Sequence, residues 1–227
     1  MSSPVARTVR CCLAVLATAI LLAGCRTEIT SSGATAGSGA TASETREVSG
    51  FTAVELATSG DLEISRTGTE SLTIEAEDTV LPLLTSEVSG GTLRLGIEEG
   101  TSVSTSQPII YRLTVADLDA IAVTGSGDVT APDLATDELT VDVRGSGTVT
   151  TGGSADTQQV EISGSGDYEG ADLSSDAATV GVSGSGDATL RVRDTLDVTV
   201  RGSGSVTYIG DPVVTQEITG SGEVIRQ

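Results

Sequence analysis

Acidic side chains that recur beside a repeated tripeptide are the residues of this chain best suited to chemistry. Gly-Ser-Gly occurs six times from residue 125 onward, at intervals of eighteen to twenty residues. The residue that follows it is acidic in four of the six copies, and three of these are aspartates: Asp128, Asp167 and Asp187. Carboxylates are hard oxygen ligands of the kind that calcium prefers. One hypothesis is therefore a ladder of calcium ions along this edge, with these aspartates as ligands.

The same aspartates have a simpler interpretation as caps of turns. Each repeat offers a single carboxylate, and Asp and Thr side chains commonly accept hydrogen bonds from nearby backbone amides. Arginine precedes the tripeptide in two copies, as Arg144 and Arg201, and in both the following residue is neutral. This pattern predicts that each arginine relieves charge repulsion between the acidic coils on either side of it, such as those of Asp128 and Asp167. We therefore expect neither a cofactor nor a required metal ion.

Most groups that act as nucleophiles or general bases are missing from the sequence. It contains no His and no Lys, and its three cysteines lie near the start of the chain. Ser-His and Cys-His pairs, Schiff-base lysines and P-loop lysines are therefore excluded. Paired carboxylates could still hydrolyse a glycosidic bond, but no carboxylate interrupts the repeat. We predict no catalytic residue and no enzymatic activity; the alternative is a polysaccharide-acting β-helix enzyme that uses paired carboxylates.

The charge balance restricts the partners of the protein. The chain has 32 acidic and 12 basic residues, a net charge of −20, and every base is an arginine. Such a surface repels phosphate backbones, so we exclude nucleic acid as a partner. A protein or a neutral glycan remains compatible with the charge.

The period of the tripeptide predicts how these residues are positioned. Apolar and polar residues alternate before each copy, which is typical of strands with one buried face. A fixed period near twenty residues is typical of a β-solenoid, in which each repeat forms one coil of the stack. We therefore predict an all-β solenoid with coils of about 18–20 residues. Its predicted core column consists of Val123, Val143, Ile162, Val182, Val200 and Ile218.

Glycines mark the corners of the predicted coils. A coil of this length must bend sharply, and glycine adopts backbone angles that other residues avoid. Stacked coils also approach to about 4.8 Å, where a residue without a side chain packs best. Thr58-Ser59-Gly60-Asp61 is a weaker copy of the same corner. The predicted structural turn glycines are Gly125, Gly127, Gly145, Gly147, Gly164, Gly166, Gly184, Gly186, Gly202, Gly204, Gly220 and Gly222.

Residues 1–24 have the pattern of a signal peptide. Two arginines precede an apolar run from residue 11 to residue 24. That run is too short for a membrane-spanning helix, which needs about 20 residues, but it suits the core of a signal peptide. It ends in Leu21-Leu22-Ala23-Gly24-Cys25, which resembles the lipobox of bacterial lipoproteins. The resemblance implies cleavage before Cys25 and lipidation of its sulfur. The protein would then be anchored by lipid to the extracytoplasmic face of the cell membrane.

Residues 25–47 are expected to form the lipidated end and a flexible linker. The segment is dominated by Ser, Thr, Gly and Ala and has no apolar periodicity, so it cannot bury enough surface to fold. Apolar alternation begins at residue 48, which predicts that residues 48–227 form the solenoid domain. Within that domain, Pro82 predicts a short turn or a brief helical piece between residues 80 and 84.

Two segments and the tripeptides together resemble a known bacterial family. The segments are REVSGFTAVEL, residues 46–56, and LDAIAVTGSGD, residues 118–128. With the later Gly-Ser-Gly copies they are similar to the family of the putative auto-transporter adhesin, head GIN domain, over about residues 47–227. The resemblance implies a right-handed parallel β-helix, often on a lipoprotein, and supplies no catalytic residues. We therefore expect a lipid-anchored, exported, non-enzymatic surface module that acts in adhesion or partner binding through its repetitive acidic surface.

Overall fold

The computed structural model describes residues 34–227, which form β-strands joined by short turns and one 3-10 helix. In chain order the strands are β1 (Thr35–Ala36), β2 (Thr41–Arg46), β3 (Ala53–Leu56), β4 (Asp61–Arg66), β5 (Ser71–Glu77), β6 (Leu84–Ser89), β7 (Thr92–Ile97), β8 (Val103–Ser104), β9 (Ile110–Val115), β10 (Ala120–Val123), β11 (Val129–Val143), β12 (Thr148–Ile162), β13 (Asp167–Val182), β14 (Ala188–Gly202), β15 (Val206–Ile209), β16 (Val213–Gly220) and β17 (Val224–Arg226). The helix, Leu81–Leu83, lies where Pro82 predicted a turn or helical piece. The predicted signal peptide and Cys25 lie outside the described residues.

Parallel pairing of successive coils builds the solenoid that the repeat predicts. β11 pairs along its length with β12, β12 with β13, and β13 with β14, and each partner lies one coil further along the chain. Register shifts, such as the one between Ala131 and Leu134, interrupt these long ladders where the coil changes direction. The stack has about five turns. The all-β, parallel β-helix fold expected from the sequence is confirmed.

Columns of small apolar side chains form the core. Val143 pairs with Ile162, Ile162 with Val182, and Val182 with Val200, and none of them is more than 1% exposed. Each buried Val or Ile contributes roughly 1.5–3 kcal/mol. The stability of the fold therefore comes from repeating a small contribution in every coil. A second buried column consists of Val129, Val149, Tyr168, Ala188 and Val206.

The coils follow a different order along the stack than along the chain. β3 and β4 form the first coil, and β7 and β9 form a coil that pairs with one side of it. The chain then crosses to the other side, because β10 pairs with β3 and β11 pairs with β4. The first coil of the chain therefore lies between the second coil and the regular repeats.

Antiparallel strands cover the N-terminal end of the stack, which we call the closed end. β6 pairs antiparallel with β7, and β5 pairs antiparallel with both β2 and β9. The Arg46 guanidinium donates hydrogen bonds to the carbonyl oxygens of Leu84 at 2.7 Å and Leu81 at 3.2 Å. A charged side chain thus occupies the Leu84 carbonyl, a backbone acceptor at the edge of β6 that an added strand would otherwise use.

Part of the expected linker belongs to this closed end. The linker was expected to be flexible as far as residue 47, but β1 pairs with β8 and β2 pairs with β5. Backbone ladders satisfy N–H and C=O groups without large side chains, so composition did not reveal these strands. The buried Glu77 carboxylate also attaches the segment, because its Oε1 accepts hydrogen bonds from the N–H groups of Gly39 at 3.1 Å and Ser106 at 3.2 Å.

A chain of polar side chains is buried inside the solenoid. The Tyr168 hydroxyl donates to Gln158 Oε1 at 2.7 Å and lies 2.9 Å from the Thr151 hydroxyl. Gln158 Nε2 donates to Ser175 Oγ at 2.7 Å, and that hydroxyl donates to the Arg191 carbonyl at 3.2 Å. Because these groups bind one another, the cost of burying them is largely offset.

Burial changes the acid–base properties of two tyrosines. Desolvation raises the pKa of Tyr168 to about 12, and the hydrogen bond with Thr151 opposes this only in part. Desolvation also raises the pKa of Tyr111 to about 12, against the opposing effects of the Thr58 hydroxyl and the Arg46 charge. The pKa of tyrosine in an unfolded chain is about 10. Between about pH 10 and 12 the unfolded state binds fewer protons, so stability declines as the pH rises.

We expect the melting temperature to fall above about pH 10, with tyrosinate absorbance increasing as the protein unfolds. Tyr168→Phe removes one of the two buried phenols, so its melting temperature should fall less between about pH 10 and 12 than that of the wild type. Melting curves and tyrosinate absorbance across this range measure both effects. If Tyr111 and Tyr168 ionise at about pH 10 while the protein stays folded, the prediction is contradicted.

Candidate functional site

The six Gly-Ser-Gly tripeptides stack into one edge of the solenoid, which we call the corner edge. At every corner after the first, the backbone N–H of the serine donates to a glycine carbonyl one coil earlier, as from Ser146 to Gly125 and from Ser165 to Gly145, both at 3.2 Å. At the first corner the acceptor is the Thr58 carbonyl. In each case the acceptor oxygen lies where the next glycine would carry a Cβ. An ideal Cβ would be 1.7 Å from it at Gly145 and 2.2 Å from it at Gly164. Any side chain at these positions would therefore collide with backbone.

The second glycine of each corner is constrained in the same way. A Cβ on Gly147, Gly166 or Gly186 would lie 1.9, 2.3 or 1.9 Å from the glycine carbonyl oxygen of the coil before. Of the twelve corner glycines, only Gly202 and Gly220 have a positive φ. The close approach of stacked backbones, rather than unusual backbone angles, is thus the main reason for glycine at the corners.

The aspartates of the corner edge bind backbone amides in the next coil. Asp128 Oδ1 accepts a hydrogen bond from the Thr148 N–H at 2.7 Å. Asp167 Oδ1 accepts one from the Asp187 N–H at 2.8 Å, and Asp187 Oδ1 accepts one from the Ser205 N–H at 2.6 Å. These contacts resemble turn capping, but the capped amide belongs to the neighbouring coil. The carboxylates therefore help to join successive corners.

These contacts place two of the candidate calcium ligands, Asp167 and Asp187, in adjacent coils and leave Asp128 apart from them. Asp128 and Asp167 lie in coils separated by the coil of Thr148, which has no carboxylate at this position. Among residues 34–227, no group of three or more acidic, His or Cys side chains is placed to hold a metal ion. The geometry therefore assigns these aspartates to the joining of coils.

The predicted charge relief across the corner edge is wrong for Arg144. Its guanidinium forms an ion pair with Asp142, two residues earlier. The reason is that residues i and i+2 project from the same face of a strand, which places Asp142 beside it. The carboxylates of Asp128 and Asp167 instead bind backbone amides.

Carboxylates gather at a different place, in a shallow hollow of about 450 Å³ beside β10 and β11. We call it the acidic hollow. The Thr136 hydroxyl donates to Asp119 Oδ1 at 2.8 Å within it. The sequence did not reveal the acidic hollow, because Asp119 and the Asp137-Glu138 pair lie one coil apart along the chain and come together only when the coils stack. Such groups can bind sugar hydroxyls or cationic side chains, but they repel anions. Its lining residues are Asp119, Ala120, Thr136, Asp137, Glu138 and Thr140.

The predicted lipidation residue, Cys25, lies outside the described residues, so its role stays a prediction. In the part of the chain that the structure describes, no helix is long and apolar enough to span a bilayer.

The stacked coils and the glycine corners define a parallel β-solenoid of repeated, nearly identical turns. The family described as “Putative auto-transporter adhesin, head GIN domain” matches residues 50–212. The chain therefore belongs to that family, as the resemblance of its repeats indicated. No curated protein sequence matches the chain.

Solved structures share this fold. A protein of Bacteroides fragilis, named a putative adhesin, is 24% identical over 85% of this chain and 99% of that chain, with a TM-score of 0.72. A putative lipid binding protein of Parabacteroides distasonis is 20% identical over 86% and 100% of the two chains, with a TM-score of 0.57. A putative adhesin of Parabacteroides merdae is 18% identical over 85% and 98%, with a TM-score of 0.51. At these identities the likeness shows the fold alone.

We expect Gly186→Ala to destabilise the protein by more than about 3 kcal/mol, because its Cβ would collide with the Gly166 carbonyl. Ser185→Ala is the matched control, since Ser185 is the exposed neighbour in the same corner. It should change the free energy of unfolding by less than about 0.5 kcal/mol. Denaturant unfolding of both variants measures the difference, and equal losses would rule out close backbone stacking as the reason for glycine.

We expect Asp167→Ala to cost about 1 kcal/mol, because the Asp187 amide loses its acceptor. Asp167→Asn should retain most of the stability, since the amide oxygen can still accept that hydrogen bond. A calcium chelator should leave the melting temperature of the wild type nearly unchanged. A chelator-induced fall of many degrees that Asp167→Asn abolishes would show instead that the aspartates bind a metal.

Proposed function

We propose that the protein is a lipid-anchored module of the cell surface that binds a protein or glycan partner in adhesion and catalyses no reaction. The family and the adhesin names of two fold relatives support the surface-binding part of this proposal. The lipid anchor rests on Cys25 and the apolar and small residues before it.

The observation that carries the proposal is a row of polar side chains, four of them threonines, on the outer surface. Thr130 pairs with Thr150, Thr189 pairs with Thr207, and Glu169 joins the two pairs. Neighbouring coils are about 4.8 Å apart, so the two hydroxyl groups of each pair are separated by nearly that distance. The χ1 angle of threonine is restricted, so these side chains lose little freedom on binding. Each contact is weak, but many copies on one membrane would bind together with high avidity.

The charge of the module selects the chemistry of the partner. The net charge of −20 favours a basic protein surface or a neutral glycan and disfavours anionic polymers. The acidic hollow adds Asp119, Asp137 and Glu138 on the same molecule, where sugar hydroxyls or arginine and lysine side chains could bind.

The closed end would face the membrane in this arrangement. Cys25 is nine residues before residue 34, a span of at most about 30 Å. β1 and β2 attach the chain that follows to the closed end. The regular coils and their polar row would therefore extend away from the anchor, where a partner on another surface can reach them.

The alternative is an enzyme that cleaves polysaccharides, and the acidic hollow is the observation that favours it. Two carboxyl groups on either side of a glycosidic bond are sufficient for hydrolysis. Incubation of the protein with a panel of glycans distinguishes the two functions. Binding without cleavage agrees with our proposal, whereas cleavage that Asp119→Asn or Asp137→Asn abolishes would replace it with the enzyme.

We expect Cys25→Ala to move the protein from the detergent phase to the aqueous phase in phase partitioning, and to remove it from the cell surface. Attachment of whole cells to the partner surface should decline with it. Cys12→Ala is the matched control, because Cys12 lies in the segment that cleavage would remove, and it should behave as the wild type does. Aqueous partitioning of all three proteins with the same N-terminus would show that the anchor does not exist.

A further inference from the structure

The two ends of the solenoid are built differently. The closed end has antiparallel strands, and Arg46 binds the carbonyl oxygens beside β6. At the other end, β16 pairs with β14 alone and β17 pairs with β15 alone. No described residue pairs with the outer side of either strand. We call this the open end, and its outward N–H and C=O groups form a template for another strand.

Apolar side chains are concentrated at the open end. Among residues 34–227, four large hydrophobic side chains are exposed, and three of them lie in the last coil: Val213, Ile218 and Ile225. Ile218 is 39% exposed. It continues the column of Val182 and Val200, which are at most 1% exposed. Within residues 34–227, the core of the solenoid therefore reaches the surface here without a covering element.

One residue of the open end departs from its column. Gln216 occupies the core-facing position that is Val160, Val180 and Val198 in the three coils before it. Those valines are at most 3% exposed, whereas Gln216 is exposed. An amide at the end of an apolar column is suited to a contact that requires one specific partner, because an amide both donates and accepts hydrogen bonds.

We propose that the open end binds a second copy of this chain, with β16 antiparallel to β16 of that copy about a two-fold axis at Gln216. This inference is independent of the proposed function. Residues that pair directly in antiparallel strands point to the same face of the sheet, and the core-facing residues of β16 have even numbers. Core-facing residues of the two copies therefore pair with one another only if the two residue numbers add up to an even number. Pairing Gln216 with Gln216 of the second copy meets that condition. It also places Val214 of each copy opposite Ile218 of the other. The amide of Gln216 then meets the same amide, which it complements.

The charges agree with self-association at this end. β16 carries a single charged side chain, Glu217, although the protein has a net charge of −20. The proposed register places Glu217 opposite Thr215 of the second copy, so the hydroxyl can donate to the carboxylate and the two acidic groups do not face each other. Binding of β16 to β6 of another copy would instead have to displace Arg46 from the Leu84 carbonyl. A closed dimer is therefore favoured over an open chain of copies.

Sedimentation of the full chain in a density-matched mild detergent, from about 1 to 100 µM, tests the dimer. We expect a concentration-dependent dimer that grows no further. Ile218→Arg should abolish it over this range, because the edge would carry a charge at its apolar contact. Val88→Arg is the matched control, since Val88 on β6 at the closed end is equally exposed at 39%, and the dimer should remain. A monomer throughout, continued growth of mass, or loss of the dimer in Val88→Arg would each overturn the proposal.

Cross-linking tests the register and stays informative if Ile218→Arg does not fold. Paired residues of antiparallel strands have Cα atoms about 4.5–5.5 Å apart, which suits a disulfide. Gln216→Cys should therefore form a covalent dimer on mild oxidation that the wild type does not form. Val213→Cys is the control, because Val213 is more exposed, at 73%, but would lie about 20 Å from its copy. Efficient cross-linking through Val213→Cys, or none through Gln216→Cys, would contradict the register.

Discussion

The carbonyl oxygen of each corner glycine occupies the place where the next coil would carry a Cβ, and the rest of the solenoid depends on that contact. It allows the serine amide of one corner to reach the glycine carbonyl of the corner before it, as Ser146 reaches Gly125. Because the corners are held in register, the strands on either side are in register too. Val143, Ile162 and Val182 then stack into a closed column. A larger corner residue would separate the coils and expose that column.

The sequence predicted the regular part of this fold because every constraint there recurs in each coil. The period, the glycines and the β-branched column all follow from stacking, and Thr58-Ser59-Gly60 does lie beneath the first Gly-Ser-Gly, with the Gly60 carbonyl 1.9 Å from an ideal Cβ on Gly127. The order of the first coils, the strands within residues 35–46 and the acidic hollow could not be predicted. They depend on backbone pairing between distant segments, which leaves no periodic pattern. The charge pattern of the corners predicted that Arg144 acts on the coils on either side, whereas it pairs with Asp142, which is nearer because it lies two residues earlier in the same coil.

The same stacking determines which parts of the molecule are available for binding. Inward positions are filled by the core, and the aspartates of the corner edge are bound to amides such as that of Thr148. The outward threonine row, the acidic hollow and the open end remain. The row repeats with the coils and suits avid binding on a crowded surface. The open end occurs once per chain and carries apolar groups, so it suits a single specific partner.

Native-state hydrogen exchange at the corners tests the central claim most directly. The serine side chains of the corners are exposed, yet the amides of Ser146, Ser165 and Ser185 each donate to a glycine carbonyl of the coil before. Close backbone stacking predicts that these amides exchange as slowly as the neighbouring strand amides, because both open only when coils separate. Exchange at the fast rate of solvent-exposed loops, with the strands still protected, would contradict the account.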